Sequence, residues 1–245
     1  MSDGNATRTV AVVLCAGQGT RMGAPQNKVY LPVAGKPLLL YALEAFARAA
    51  EVDEVLLVAN PAEVAYCEEE IVQQYTPAKV IGVIAGGATR HRSEERALEA
   101  LRARIVAGTI DVVLIHDGAR PFVTPEEIDA VAQAARAEGG ALLGTPVGAD
   151  EVIAQIGEDG SVEAILPSSE HWRAQTPQAF AAPVLLAAYE QARADGFEGT
   201  DTAGVYERLG RPVCMVEGSP NNFKVTTPMD LLRAESWVRH WSTGT

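Results

Sequence analysis

The chain has 245 residues, 47% of them hydrophobic, enough apolar material for one sizeable α/β core, with no composition shift to mark a second domain. A net charge of −12 excludes a general nucleic-acid or membrane-surface binder, because such proteins need a positive field, so any anionic ligand must be held by a few local cations. Cys15, Cys67 and Cys214 form no CxxC pair and predict neither disulfides nor zinc; with a short polar start and no apolar run of membrane-spanning length, a soluble cytoplasmic protein is expected.

Val10 to Cys15 is an unbroken apolar run ending in glycines, the pattern of a strand buried on both faces. Pro37 stands where a first helical residue would, and Leu38, Leu39, Ala42, Leu43, Phe46 and Ala50 follow at helical spacing. Further strands are predicted at Val55 to Val58, Lys79 to Ile84, Val112 to Ile115 and Ala141 to Gly144. Between them, helices are predicted at Pro61 to Gln74, Ser93 to Arg104 and Pro125 to Glu138. Strands alternating with helices imply a three-layer α/β fold: a mostly parallel, doubly wound sheet with helices on both faces and ligands at the strand C-terminal ends.

The rhythm breaks between Pro146 and Arg173. There Glu151 to Ile156 and Ser161 to Leu166 flank a GEDG turn signal, which predicts a protruding β-hairpin arm at about 146–173 within a single domain spanning 1–245. A helix from Ala182 to Ala194, a strand from Val213 to Val216 and an amphipathic helix from Pro228 to about His240 complete the prediction.

The first strand runs into LCAGQGTRMG, whose glycines at 17, 19 and 23 let the backbone approach phosphate oxygens. Met22 breaks the GxGxxG fingerprint and weakens a nicotinamide-dependent oxidoreductase, and no GKS or GKT marks a P-loop. What distinguishes the stretch is Arg21, followed by Lys28: two cations able to converge on a triphosphate, or else solvated charges on an ordinary turn. Asp117 follows the predicted strand Val112 to Ile115, at the sheet edge where active sites gather, and Arg120 carries a planar fork suited to phosphate. His116, ending a core strand, reads as a packed, hydrogen-bonded residue rather than a general base. Lys224, in the apolar FKVTTP stretch, reads as a half-buried cation at a strand end that needs an anionic partner, such as a substrate phosphate.

The string AxGxGxRMG followed by KVYLPVAGKPLL resembles the sugar-phosphate nucleotidyltransferase superfamily. GGATRHRS at 86–93, HDGARP at 116–121, RAQTPQAF at 173–180, TDTA at 200–203 and NNFKVTTPMDL at 221–231 occur in the order of the 2-C-methyl-D-erythritol 4-phosphate cytidylyltransferases. Ribitol-5-phosphate cytidylyltransferases are close relatives. The resemblance implies a Rossmann-like nucleotidyltransferase fold and transfer of CMP from CTP to a polyol phosphate, with release of pyrophosphate, in isoprenoid precursor synthesis.

It implies Arg21 and Lys28 as catalytic, and Ala16, Gly17, Gly19, Gly87, Ala88, Ser93, Asp117, Gly118 and Lys224 as nucleotide-binding. Asp117, Arg120, Thr176, Thr200 and Lys224 are implied on the acceptor side, Mg²⁺ is held mainly by the CTP phosphates and reaches Asp117 through water, and the arm makes a homodimer. From the residues alone, Ser93, Thr176 and Thr200 can equally be helix caps, and Arg90 supports its loop.

The chain departs from the family's pattern at Asn27, where a proline precedes the lysine, and at Ala88, where the pattern has an acid. On the acceptor side Glu151 replaces a threonine, Ser168 an arginine and Thr202 an acid. The CTP half of the reaction is therefore more firmly implied than its acceptor. Methylerythritol phosphate leads, with another polyol phosphate such as ribitol 5-phosphate as the alternative and a non-catalytic nucleotide-binding module behind both.

Overall fold

A computed structural model describes residues 7–17 and 27–241. In chain order its elements are β1 (Arg8–Cys15), β2 (Pro32–Val33), β3 (Lys36–Pro37), α1 (Leu38–Arg48), β4 (Glu54–Ala59), α2 (Val64–Cys67), β5 (Val80–Ala85), α3 (Arg90–Val106), β6 (Ile110–Asp117) and α4 (Pro125–Glu138). There follow β7 (Gly140–Pro146), β8 (Ile153–Ile156), β9 (Val162–Leu166), β10 (Trp172–Ala181), α5 (Ala182–Ala194), α6 (Thr202–Glu207), β11 (Cys214–Glu217) and α7 (Pro228–Trp241).

Seven strands form the central sheet in the order β11-β7-β10-β6-β1-β4-β5. Pairing is parallel except around β10, which runs antiparallel to both β6 and β7. The mostly parallel α/β sheet expected from the sequence is thus observed. Alternation along β1 splits the core: Ala11, Val13 and Cys15 pack with α1 and α4, while Val10 and Val12 pack with α3 and α5 on the opposite face. Full burial of each such valine stabilises the fold by roughly 1.5–3 kcal/mol, which is why β1 reads as continuously apolar. α7 adds a smaller cluster, with Ala234 against Val33, Leu38, Phe122 and Val225.

Three predicted elements change. The helix expected over 61–74 is a 3₁₀ turn at Pro61–Glu63, the four-residue α2 and a π-helical run at Glu68–Gln73. α3 begins three residues before Ser93, because Thr89 caps it by accepting from the Arg92 N–H at 3.2 Å. Lys224 belongs to no strand, although the Val225 N–H donates to the Ala119 carbonyl at 2.8 Å.

The sequence pattern missed β10 altogether. Pro177 argues against a central strand because proline cannot donate to the ladder. The chain accommodates it with a cis Thr176–Pro177 peptide and a break in pairing between Ala174 and Gln178. α6 was also missed; it is only six residues long, too short for periodicity, and Asp201 caps it.

β8 and β9 form the expected hairpin, a two-stranded sheet of their own with Ile153 opposite Leu166. Its apolar side chains lack cover: Ile156 is 56% exposed and Ile165 63%. Cys15, Cys67 and Cys214 are free thiols. Among the described residues no helix is long and apolar enough to cross a membrane.

Candidate active site

A cleft with a cavity volume of about 300 Å³ opens at the C-terminal ends of the parallel strands. It is lined by Ala16 and Gly17 after β1, Asn27 and Lys28, Asn60 after β4, Gly87, Ala88, Thr89, Arg90 and Ser93 around the start of α3, Asp117 at the end of β6, and Lys224 with Thr226. Open parallel sheets bind ligands at this edge because neighbouring connections leave to opposite faces and part there. Gly19 and Arg21 lie outside the described residues.

The floor is shaped by close approach. A Cβ on Gly87 would sit 2.4 Å from that of Arg92, and one on Gly86 2.7 Å from that of Ala16, so this corner admits only glycine without rearrangement. Ser93, expected as a nucleotide ligand or helix cap, lies inside α3 rather than at its cap. Its hydroxyl accepts from the Gly87 N–H at 3.0 Å and donates to the Thr89 carbonyl at 2.9 Å. That N–H is thereby committed within the protein. Gly118, expected at the nucleotide site, sits in close packing. It packs beneath the cleft, where a Cβ would meet the Cys15 sulfur, the Leu14 carbonyl and Leu39 at 3.1 Å.

Asp117 is the electrostatic centre. Its Oδ2 accepts from Lys224 Nζ at 2.8 Å and its Oδ1 from Arg90 Nε at 3.4 Å, while Arg120 Nε stands 3.8 Å away. Burial alone would raise its pKa, but Lys224, Arg90 and Arg120 together hold the carboxyl well below the usual range. Lys224 finds the anionic partner its sequence setting required, and that partner is Asp117. Three cations around one carboxylate leave a local positive excess in an acidic protein, the condition for gathering an anion.

Arg120 spends its fork on the backbone, with Nη1 donating to the Asn222 carbonyl at 2.8 Å and Nη2 to that of Ala174 at 3.5 Å. It braces Asp117 from behind and is absent from the cleft wall. Thr176 is likewise behind the wall, within β10 rather than at a helix cap. Its hydroxyl oxygen accepts from the Asp117 N–H at 3.0 Å and lies 3.1 Å from His116 Nδ1. His116 Nε2 lies 3.0 Å from the Arg120 carbonyl, which can only accept, so Nε2 carries the proton and Nδ1 accepts from Thr176. Burial pushes this imidazole down to about 4. The sequence reading of His116 as a packed residue therefore agrees with its surroundings. Thr200 is exposed just before α6 and caps nothing; Asp201 is the cap.

Two participants went unrecognised in the sequence. Arg90, expected only to support its loop, lines the cleft and binds Asp117, Glu94 and Thr202. Asn27 is buried, and its amide donates to the Cys15 carbonyl at 2.7 Å and to Glu63 at 3.0 Å. It also caps the 3₁₀ turn that carries Lys28. The alternation of element types locates the cleft edge but says nothing of such long-range hydrogen bonds. On the arm, Glu151 pairs with Arg173.

The family described as "IspD: 2-C-methyl-D-erythritol 4-phosphate cytidylyltransferase" matches residues 9–240. The chain is 44% identical to the 2-C-methyl-D-erythritol 4-phosphate cytidylyltransferase of Geotalea uraniireducens, over 95% of this chain and 97% of that one. It is 40% identical to that of Pelotomaculum thermopropionicum, over 95% and 94%. Its structure is similar to the crystal structure of the Thermus thermophilus enzyme of that name, with TM-score 0.70 and 34% identity over 94% of this chain and 99% of that one. A 4-diphosphocytidyl-2C-methyl-D-erythritol synthase from Anaerococcus prevotii superposes with TM-score 0.81 at 28% identity, covering 95% and 96%.

Proposed function

Because the chain belongs to the 2-C-methyl-D-erythritol 4-phosphate cytidylyltransferase family, we propose that it joins CTP to methylerythritol phosphate, giving the CDP-polyol and pyrophosphate for isoprenoid precursor synthesis. The observation that carries this reading is the convergence of Ala16, Gly17, Lys28, Gly87, Asp117 and Lys224 on one cleft.

A phosphate oxygen of the acceptor attacks the α-phosphorus of CTP in line with the departing pyrophosphate. The attacking oxygen is already ionised, so no protein nucleophile is required; alignment and charge neutralisation supply the catalysis. Lys28 and Arg21 are assigned to the triphosphate, and Lys224, braced by Asp117, to the acceptor phosphate. Asp117 is the one carboxylate among the described lining residues, and each of its oxygens is turned to a cation. That arrangement fits Mg²⁺ carried chiefly by the CTP phosphates, where the ion would supply charge neutralisation for the leaving group.

The uncovered apolar hairpin supports a homodimer formed through the arm at about 146–173, and the free thiols fit a reducing, cytoplasmic setting. A second acceptor, such as ribitol 5-phosphate, is favoured by one observation. The arm carries Ser168 where an arginine would grip the phosphate, and its Arg173 is tied to Glu151. The test is pyrophosphate release with CTP and Mg²⁺ against a panel of polyol phosphates. The primary reading requires the highest kcat/KM with methylerythritol phosphate; turnover with another acceptor alone would overturn it.

A further inference from the structure

Behind the cleft wall lies a second carboxylate, Glu94, which is 1% exposed and contributes nothing to the cleft surface. Both its oxygens are engaged. Oε1 pairs with Arg90 and accepts from the Thr202 hydroxyl at 3.0 Å, and Oε2 accepts from the Tyr189 hydroxyl. Thr202 Oγ1 in turn accepts from Arg90 Nη1 at 3.2 Å. α3, α5 and α6 thus each send one side chain to a buried carboxylate whose cationic partner reaches the active site.

A guanidinium next to a carboxylate ordinarily pairs through two parallel hydrogen bonds. Arg90 does not treat Asp117 in this way. It offers only Nε, at 3.4 Å, while Lys224 holds the other oxygen at 2.8 Å. On the far side of the guanidinium, Nη1 is occupied by Glu94 and Thr202. We propose that Glu94 is a positioning residue of the transfer site, which with Thr202 draws Arg90 away from a two-point grip on Asp117 and so leaves Lys224 as the close cation of that carboxylate.

The carboxylate is an expensive way to fill this space. Burial pushes Glu94 up to about 7 in spite of Arg90. A folded-state pKa above the unfolded value means that stability present at low pH is lost as pH rises through the folded value.

The inference rests on the cytidylyl transfer proposed above, and assaying wild-type enzyme first separates the two: no turnover there fails the reaction, not the positioning. With turnover established, Glu94→Gln is expected to lower kcat by about 10- to 100-fold, the scale of a misplaced active-site group, with a smaller change in KM for CTP. Because position 202 faces the same guanidinium, combining Glu94→Gln with Thr202→Asp relocates the negative charge and should recover most of the loss, whereas Thr202→Asp alone, adding a second carboxylate beside Glu94, should not help. Thr202→Val, which keeps Glu94 and removes one hydroxyl, should give an intermediate loss, and it supplies the reading should Glu94→Gln not fold. Wild-type kcat in Glu94→Gln, or a folded but impaired Glu94→Gln that Thr202→Asp does not rescue, would overturn the proposal. So would wild-type kcat in Thr202→Val.

Discussion

The Asn27 amide donates to the Cys15 carbonyl oxygen at 2.7 Å, joining the end of β1 to the residue just before Lys28. The glycine-rich stretch runs between these two residues, so one side chain fixes the separation of its ends. Asn27→Ala strands the Cys15 carbonyl and one Glu63 oxygen, and should cost about 1–3 kcal/mol in urea unfolding. It should also raise KM for CTP, because Lys28 loses its cap. Unchanged KM would mean that Lys28 is positioned without this residue.

Removing Lys224 tests the charge arrangement around Asp117. Lys224→Met should lower turnover on the order of 10²-fold, and should destabilise the fold at pH 7 by about 1–2 kcal/mol, a range discounted for the 39% exposure of the lysine side chain. The sign of the pH effect follows from the depressed Asp117 pKa. That contribution is present above the ordinary aspartate value of about 3.9 and is lost as pH falls through the lower folded-state value. The stability gap between wild type and variant should therefore narrow below pH 4, as followed by unfolding at pH 7 and pH 3.

His116 should stay neutral throughout the working range. Burial holds it at about 4, below the ordinary histidine value of about 6.5. Its contribution is thus complete above the ordinary value and is lost as pH falls from about 6.5 toward 4, on the order of 3 kcal/mol in all. NMR titration of the imidazole should show no protonation between pH 5.5 and 8. A transition inside that window would reopen its assignment as a structural residue.

Arg21→Ala and Lys28→Ala should each fold normally and lose on the order of 10²-fold or more in kcat, the usual effect of removing a preorganised charge from a transition state. Thermal melting and pyrophosphate release on the same preparations check both halves of the expectation. Near-normal turnover by either variant would remove that cation from the mechanism.

The α/β alternation and the edge carrying Asp117 were legible because burial on both faces imposes apolar runs such as Val10 to Cys15. β10 was not, since Pro177 contradicts the local pattern of a central strand and only tertiary pairing with β6 and β7 restores it. The same gap hid where Thr176 stands, since its position beside His116 depends on that strand. Of the two readings of Ser93, the helix cap fails because α3 starts earlier, at Arg90 with Thr89 as its cap, while the residue does line the cleft. Arg90 was undervalued because, apart from Glu94 on its own helix, its partners Asp117 and Thr202 lie on β6 and α6, too far along the chain for a local window to span.

Asp117 and Lys224 are separated by 107 residues, and this has a consequence for synthesis on the ribosome. The strands and glycines of the cleft emerge first, while the cation that engages Asp117 Oδ2 arrives 107 residues after it. A nascent or prematurely terminated chain ending before Asn222 would hold Asp117 with its two arginines but without its nearest cation, and would also lack the backbone carbonyl that anchors Arg120. The charge arrangement around Asp117 is therefore closed only once Lys224 has been translated, long after the strand that carries Asp117.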